Sequence, residues 1–367
     1  MTEEKIICEC CGAYLTEENI SEFDGQFLCS DCLSTETTFC SCCGEQIWVS
    51  NNSGDNHITL CESCYETYYT HCNDCDRIIH RDHACYYDEE PYCQSCYDRC
   101  SEERSIKDYG YKPEPIFYGD GNRFFGVELE VDDAGEDDDN AYEVIRTANR
   151  NGKEHIYCKH DGSLDEGFEV VTHPMTLDYH LNEMPWKEVL SELRSMSYCS
   201  HNAGSCGLHI HVNRSTFGDT TEKQEECIGR VLYLFEKFWS ELLKFSRRSY
   251  SQLERWAARY GYKDNPKEML DHAKKGSCNG RYSCINLHNY YTIEFRMFRG
   301  TLKYNTLIAT LQLVNRVCSV AFSFSDEEIQ ALSWSEFVSY CTEPELVQYL
   351  KERRIYINEP VTCEEEI

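Results

Sequence analysis

Six C-x2-C pairs occupy the first hundred residues, and their spacing admits few structures. Cys8/Cys11 is followed by Cys29/Cys32, Cys40/Cys43 by Cys61/Cys64, and Cys72/Cys75 by Cys93/Cys96. Each set reads C-x2-C-x17-C-x2-C, and successive sets start 32 residues apart. A fixed period of this kind marks a repeated structural unit. Units this short bury too little apolar surface to fold unaided. Four thiolates at such spacing make a closed tetrahedral site for structural Zn2+. The pattern therefore predicts four-cysteine zinc-binding repeats over residues 1–105, with about three Zn2+ in all. Polar turns ("FDGQF", "SGDNH", "YDEEP") lie between the pairs. Short helices are expected after each second pair, at "CLSTET", "CYETYY" and "CYDRCS". Zinc-ribbon, treble-clef and LIM-like modules share this outline. The Cys32–Cys40 spacer is longer than in a LIM module, so pairing within or between repeats stays open. Cys10, Cys42, Cys85 and Cys100 break the pattern and read as bystanders. His57, His71, His80 and His83 read as surface or turn residues.

Metal is the better explanation of the 25 cysteines than disulfides. A disulfide framework belongs to secreted chains, and the start "MTEEKIICEC" is polar and has no apolar signal core. The formal net charge of −30 argues against nucleic acid or an anionic membrane as partner. Residues 1–110 carry 23 Asp/Glu against 6 Lys/Arg, so the repeats themselves repel a phosphate backbone. A protein or peptide is the partner they suit. The most apolar run, "LIATLQLVNRVCSVAF", is interrupted by Gln312, Asn315 and Arg316. A soluble, cytoplasmic chain is expected.

Residues 106–122 read as a connector rich in Gly and Pro. The pattern then changes to strands. In "RFFGVELEVDD", Phe125, Val127, Leu129 and Val131 alternate with Glu128 and Glu130. The following "DDAGEDDDN" reads as a solvated loop. Asp161-Gly162 signals a turn, and "GFEVVTHP" a strand ended by Pro174. Glu169 in that strand is a carboxylate among apolar neighbours, costly unless paired. "SCGLHIHVN" sets His209 and His211 on one side of a strand, with Leu208, Ile210 and Val212 on the other. "NYYTIEFRMFRGTL" places Glu294, Arg296 and Phe298 on one face. One antiparallel sheet with a polar face lining a cleft accommodates all four strands. Glu128, Glu130, Glu169 and Glu294 would repel one another there unless cations such as Mg2+ or Mn2+ intervened. Arginines nearby suggest phosphate. Together these groups describe a nucleotide phosphoryl-transfer site. Residues 221–246, 251–261 and 303–321 carry helical apolar stripes. No G-x4-G-K-[ST] or G-x-G-x2-G motif occurs, which argues against P-loop and dinucleotide folds.

The motifs "FGVELEV", "DGSL…GFEVVTHPM", "CGLHIHV" and "TIEFRMFRGTL", in that order, resemble the amidoligase family of phages and bacteria. Its members are carboxylate–amine ligases related to glutamine synthetase and glutamate–cysteine ligase. The resemblance covers roughly residues 120–325. It implies an α+β fold, a glutamine synthetase-like antiparallel sheet flanked by helices. The catalytic domain would span 123–325, followed by a helical extension over 326–367. It implies an ATP-dependent ligase working through an acyl phosphate on a peptide, protein or amino acid. Glu128 and Glu130 would divide between two metal sites, one completed by His209 and Glu294, the other by Glu169. Arg296 and Arg299 would hold ATP phosphates. His211 would face the substrate or the phosphate in transfer, and Asp161 would position the amine or act as base. Thr172-His173-Pro174 departs from the family's Ser-Pro. Two rival readings remain: a non-catalytic zinc-dependent adaptor with a degenerate ligase region, and a metal-dependent hydrolase.

Overall fold

The computed structural model describes residues 6–16, 18–87, 90–97, 104–201, 204, 206–275 and 280–356. Cys100, Ser205, part of "CYDRCS" and residues 357–367 lie outside the described residues. The chain divides into two compact units, Met1–Glu103 and Arg104–Ile367.

The first unit repeats one small design. Each repeat begins with a turn on its first C-x2-C pair, closed by Gly12 N–H to Cys8 O, Gly44 N–H to Cys40 O, or Asp76 N–H to Cys72 O. The residue after the second cysteine of that pair is left-handed: Gly12 at φ +75°, Gly44 at +77°, Asp76 at +57°. Gly and Asp suit that position because a larger side chain is strained there. The second pair sits at a helix start, with Cys29 and Cys61 as N-caps of Ser30–Glu36 and Glu62–Tyr68. Antiparallel hairpins such as Ile20–Phe23 with Gln26–Cys29 fill the space between. Neighbouring repeats touch through few groups. Trp48 Nε1–H donates to Asp24 Oδ2 at 2.9 Å, and the backbone N–H of Ile78 donates to Asp55 Oδ2 at 3.3 Å.

The second unit is α+β, built on a seven-stranded sheet. Its strands are β1 (Ile106–Lys107), β2 (Phe125–Val131), β3 (Ile156–Lys159), β4 (Phe168–Thr172), β5 (Gly207–Asn213), β6 (Ile285–Asn286) and β7 (Thr292–Arg299), in the order β6-β7-β5-β2-β4-β3-β1. Every pairing is antiparallel except β1 with β3. The sheet is therefore mixed rather than wholly antiparallel. The parallel edge comes from residues 106–107, read from sequence as the start of a connector. The carboxylate of Asp138 pins that edge by accepting the N–H groups of Ser105 and Ile106.

One face of the sheet is apolar and covered by helices. Phe125, Val127, Leu129 and Val131 on β2 are fully buried. Four such side chains contribute on the order of 6–12 kcal/mol. That is enough to hold a strand whose opposite face carries carboxylates. Phe235 and Phe245, from helices Thr221–Lys237 and Trp239–Ser246, lie against Phe295 and Phe298. The stripe over 221–246 is thus two helices, broken at Phe238, whose ring packs on Trp334 and Phe337. Phe298 also departs from simple alternation. A register shift between Leu208 and Ile210 adds a residue to β7, so Phe295 and Phe298 both meet the core side. The acidic run after β2 is not wholly solvated. Asp132 is 2% exposed and accepts the Glu166 N–H, while Asp137 caps the helix Asp138–Ala148.

Helix Tyr304–Ser323 is long and apolar enough to cross a membrane, but 72% of its apolar window is buried inside the protein. Its polar residues bind within the fold: Gln312 to Glu345 and the Leu346 N–H, Arg316 to Glu343, and Asn315 to Arg123. The helix Pro344–Glu352 packs on this one, and its Tyr349 O–H donates to Phe245 O on the helix Trp239–Ser246.

Candidate metal centres: three thiol tetrads and a carboxylate–imidazole face

Each cysteine tetrad closes within its own repeat: Cys8, Cys11, Cys29 and Cys32; Cys40, Cys43, Cys61 and Cys64; Cys72, Cys75, Cys93 and Cys96. The question of cross-bracing is answered by these groupings. Sγ–Sγ distances of 3.9 Å (Cys11–Cys29), 3.8 Å (Cys43–Cys61) and 3.8 Å (Cys75–Cys93) test the fit. A tetrahedron with Zn–S of about 2.3 Å has edges of about 3.8 Å, whereas a disulfide needs about 2.05 Å. Backbone N–H donors, Cys11 first, pull the Cys8 thiol down to about 6. For Cys40, burial opposes ionisation, but the N–H groups of Cys43 and Cys61 still bring it to about 6. Hydrogen bonding among the thiols, Cys29 first, drives Cys32 far the other way. A bare tetrad cannot ionise fully, and a divalent cation removes that conflict. Cys10, Cys42 and Cys85 stand outside the tetrads, as do all described histidines of this unit.

The polar face of the sheet is assembled by register. Across β2 and β5, Glu128 faces His209 and Gly126 faces His211. Across β2 and β4, Glu130 faces Glu169, and across β3 and β4, Lys159 faces Glu169. Across β5 and β7, His211 faces Glu294. Five strands thus bring to one patch residues as far apart in the chain as Glu128 and Glu294. Glu130, Glu169, His209 and Glu294 are each at most 5% exposed.

Two clusters share His209. Its Nδ1 lies 3.4 Å from Glu128 Oε2 and 3.7 Å from Glu294 Oε1. Its Nε2 lies 3.7 Å from Glu130 Oε1, and Glu130, Glu169 and His209 form the second cluster. Ligands about 2.1 Å from a Mg2+-sized ion sit roughly 3.0–4.2 Å apart, and the three His209–carboxylate separations fall in that range. Other neighbours fix the carboxylates. Glu294 accepts from Asn286 at 2.8 Å, Asn289 at 3.2 Å, and Arg296 Nη1. Glu130 accepts the Gly207 N–H, and Lys159 Nζ lies 3.0 Å from Glu169. His211 contacts Thr292 Oγ1 at 3.2 Å and lies 3.1 Å from Glu128.

The electrostatics are divided along the face. Burial opposes ionisation of Glu128, but the imidazoles, His211 foremost, hold its carboxyl well below the usual range. Glu169 is driven well above it by burial and by Glu128, against the pull of Lys159. Burial works against charge on His211, yet Glu128 and Glu294 raise it. The four carboxylates thus share the face with Lys159, Arg296 and two imidazoles, and Glu169 is the one held toward its neutral form.

Asp161 belongs to neither cluster; it is half-buried in the turn after β3, where its Oδ1 accepts the Ser163 N–H at 2.7 Å. Arg299 ends β7 and lines a small cleft with Arg247, Thr301 and Thr306. Burial first, then the like charge of Arg247, lowers its pKa. Sequence reasoning missed Lys159, Asn286, Asn289 and Arg248. Lys159 had a signal, since "IYCK" alternates and puts Tyr157 and Lys159 on the polar side. Arg248 had none. It follows a helix, and only tertiary packing brings it beside Glu130, where burial lowers it to about 10.

Residues 147–318 match the family model described as "Putative amidoligase enzyme". The match contains Glu169, His209, His211, Glu294, Arg296 and Arg299, and supports a ligase-type function. It begins after β2, so Glu128 and Glu130 join the set through strand register. No curated protein matches the chain.

Proposed function

We propose that the chain is an ATP-dependent carboxylate–amine ligase, activating a carboxylate as an acyl phosphate before an amine displaces phosphate. The observation that carries this reading is the pair of carboxylate clusters sharing His209, with Arg296 on the same face. A carboxylate is a poor electrophile because its leaving group is oxide, and phosphorylation provides a better one. Divalent ions held there supply positive charge that stabilises the phosphoryl group in transfer. Glu128, Glu294 and His209 Nδ1 would hold one ion; Glu130 and Glu169 would hold the other, with the His209 Nε2–H directed toward Glu130. A neutral imidazole has one lone pair, so His209 ligates on one side while donating N–H on the other. Arg296 is steadied by Glu294 and by the Tyr282 ring, 5.9 Å from its guanidinium. Its Nε is buried without a hydrogen-bond partner among the described residues, and suits a phosphoryl oxygen. His211 would face the group being transferred. Asp161 and Arg299 are assigned to the amine and the phosphates on the resemblance alone. The acidic zinc repeats suit a protein or peptide substrate.

The test is ADP release from Mg·ATP across a panel of carboxylates, with and without amines. Amine-dependent release is expected. Glu128→Gln or Glu294→Gln should lower it at least a hundredfold, about 3 kcal/mol, with the circular dichroism unchanged. Wild-type turnover in either variant refutes the assignment. Amine-independent hydrolysis favours a hydrolase, and zinc-loaded protein that binds no nucleotide favours an adaptor.

A further inference from the structure

A buried guanidinium with an unused N–H group stands beside the second carboxylate cluster. Arg248 is 7% exposed, and its Nη1 has no hydrogen-bond partner among the described residues. Burying an unpaired charge is costly, and such a group persists where a ligand compensates it. The acidic side chain that most favours its charge is Glu130. That carboxylate is already engaged, with Oε2 on the Gly207 N–H and Oε1 facing His209. Arg296 and Arg299 oppose its charge, and the Cys206 thiol favours it more weakly than Glu130 does.

The backbone is shaped around this guanidinium. A Cβ on Gly207 would lie 2.5 Å from Arg248 Nη2 and 2.6 Å from His209 Nε2. Glycine at that position lets both side chains approach β5 at the point where Glu130 is held. On the other side, helix Trp239–Ser246 ends with Arg247 in the left-handed region at φ +61°. That reversal carries the chain into Arg248. Arg296 belongs to the Glu128/Glu294 cluster through its bond to Glu294, whereas Arg248 belongs to the Glu130 side.

We propose that Arg248 anchors an oxyanion subsite on the Glu130 side of the polar face, taking a carboxylate or phosphoryl oxygen of the reacting complex. The inference deepens the ligase reading and rests on it for the identity of the anion. Two arginines, one per cluster, then bracket the reacting centre. Arg296 holds the oxygen at the first ion site, and Arg248 the oxygen at the second.

The experiment uses the full zinc-loaded chain with Mg2+, and follows the melting of the second unit with acetate, orthophosphate or Mg·AMP-PNP added. At least one probe should stabilise the wild type. In Arg248→Met its apparent affinity should fall tenfold or more, and Arg248→Lys should recover part of it. A response to Mg·AMP-PNP assigns the anion to the nucleotide; a response to acetate assigns it to the acid substrate. Without any probe, Arg248→Met should melt no lower than the wild type, because an unpaired buried charge has been removed. Undiminished probe binding in Arg248→Met, a lowered melting temperature without probe, or a wild type deaf to all three probes overturns the proposal. A wild-type response that depends on Arg248, alongside absent ADP release, would keep the subsite and sink the ligase reading.

Discussion

The two units gather anionic ligands by opposite means. In the first, the tetrads are the core. The buried set around the second tetrad is Cys40, Cys61, Cys64, Leu60 and Ile78, and three of these five belong to the tetrad. In the second, a large apolar core holds the sheet first, and carboxylates are imposed on its far face. The first unit has little besides its tetrads to hold it, which suggests a structural zinc at each, whereas the second has an apolar core independent of any ion. The difference teaches that ligand clustering alone does not reveal what an ion does. The surrounding apolar surface decides whether the ion is structural or free to serve chemistry.

Removing zinc should break the comparison most visibly. Structural zinc in units this small is worth about 10–16 kcal/mol, so a strong chelator should unfold residues 1–103 entirely. The helical circular dichroism of the second unit should remain. Amide protection of the hairpins that survives chelation would show that the first unit has a sufficient core after all.

A smaller effect tests the core of the second unit. His180 is fully buried, with Nε2 on Phe125 O and Nδ1 accepting from Trp186. Burial lowers it to about 4. The folded state thus favours neutral imidazole more than the unfolded chain, whose value is about 6.5. Its contribution is complete above about pH 6.5 and fades as pH falls toward 4, by up to ~3 kcal/mol. Urea midpoints followed by tryptophan fluorescence should drop over that range, and His180→Gln should flatten the slope. An unchanged slope would show that His180 is not what couples this core to acid.

The least effect is expected from the extra thiols. Cys10→Ser and Cys42→Ser should leave three zinc ions per chain by metal analysis and shift stability by less than about 0.5 kcal/mol. Loss of an ion in either variant would mean that the tetrads exchange partners.

How legible each unit was follows from the same contrast. The repeats were readable because ligand spacing and structural period coincide. The polar face was readable where alternation held, as for Glu128, Glu130, His209 and His211. It failed at Phe298, because a bulge depends on two strands and leaves no mark in one. The β1 edge was hidden because two residues carry no periodicity. Arg248 was hidden because nothing local separates a guanidinium that turns inward from one that faces water.

Manganese binding to the zinc-loaded chain, counted by electron paramagnetic resonance with AMP-PNP present, tests the central claim most directly. Two ions per chain are predicted for the wild type, with at least one lost in Glu128→Gln and in Glu130→Gln. Equal counts in wild type and variants, or no bound manganese at all, would contradict it.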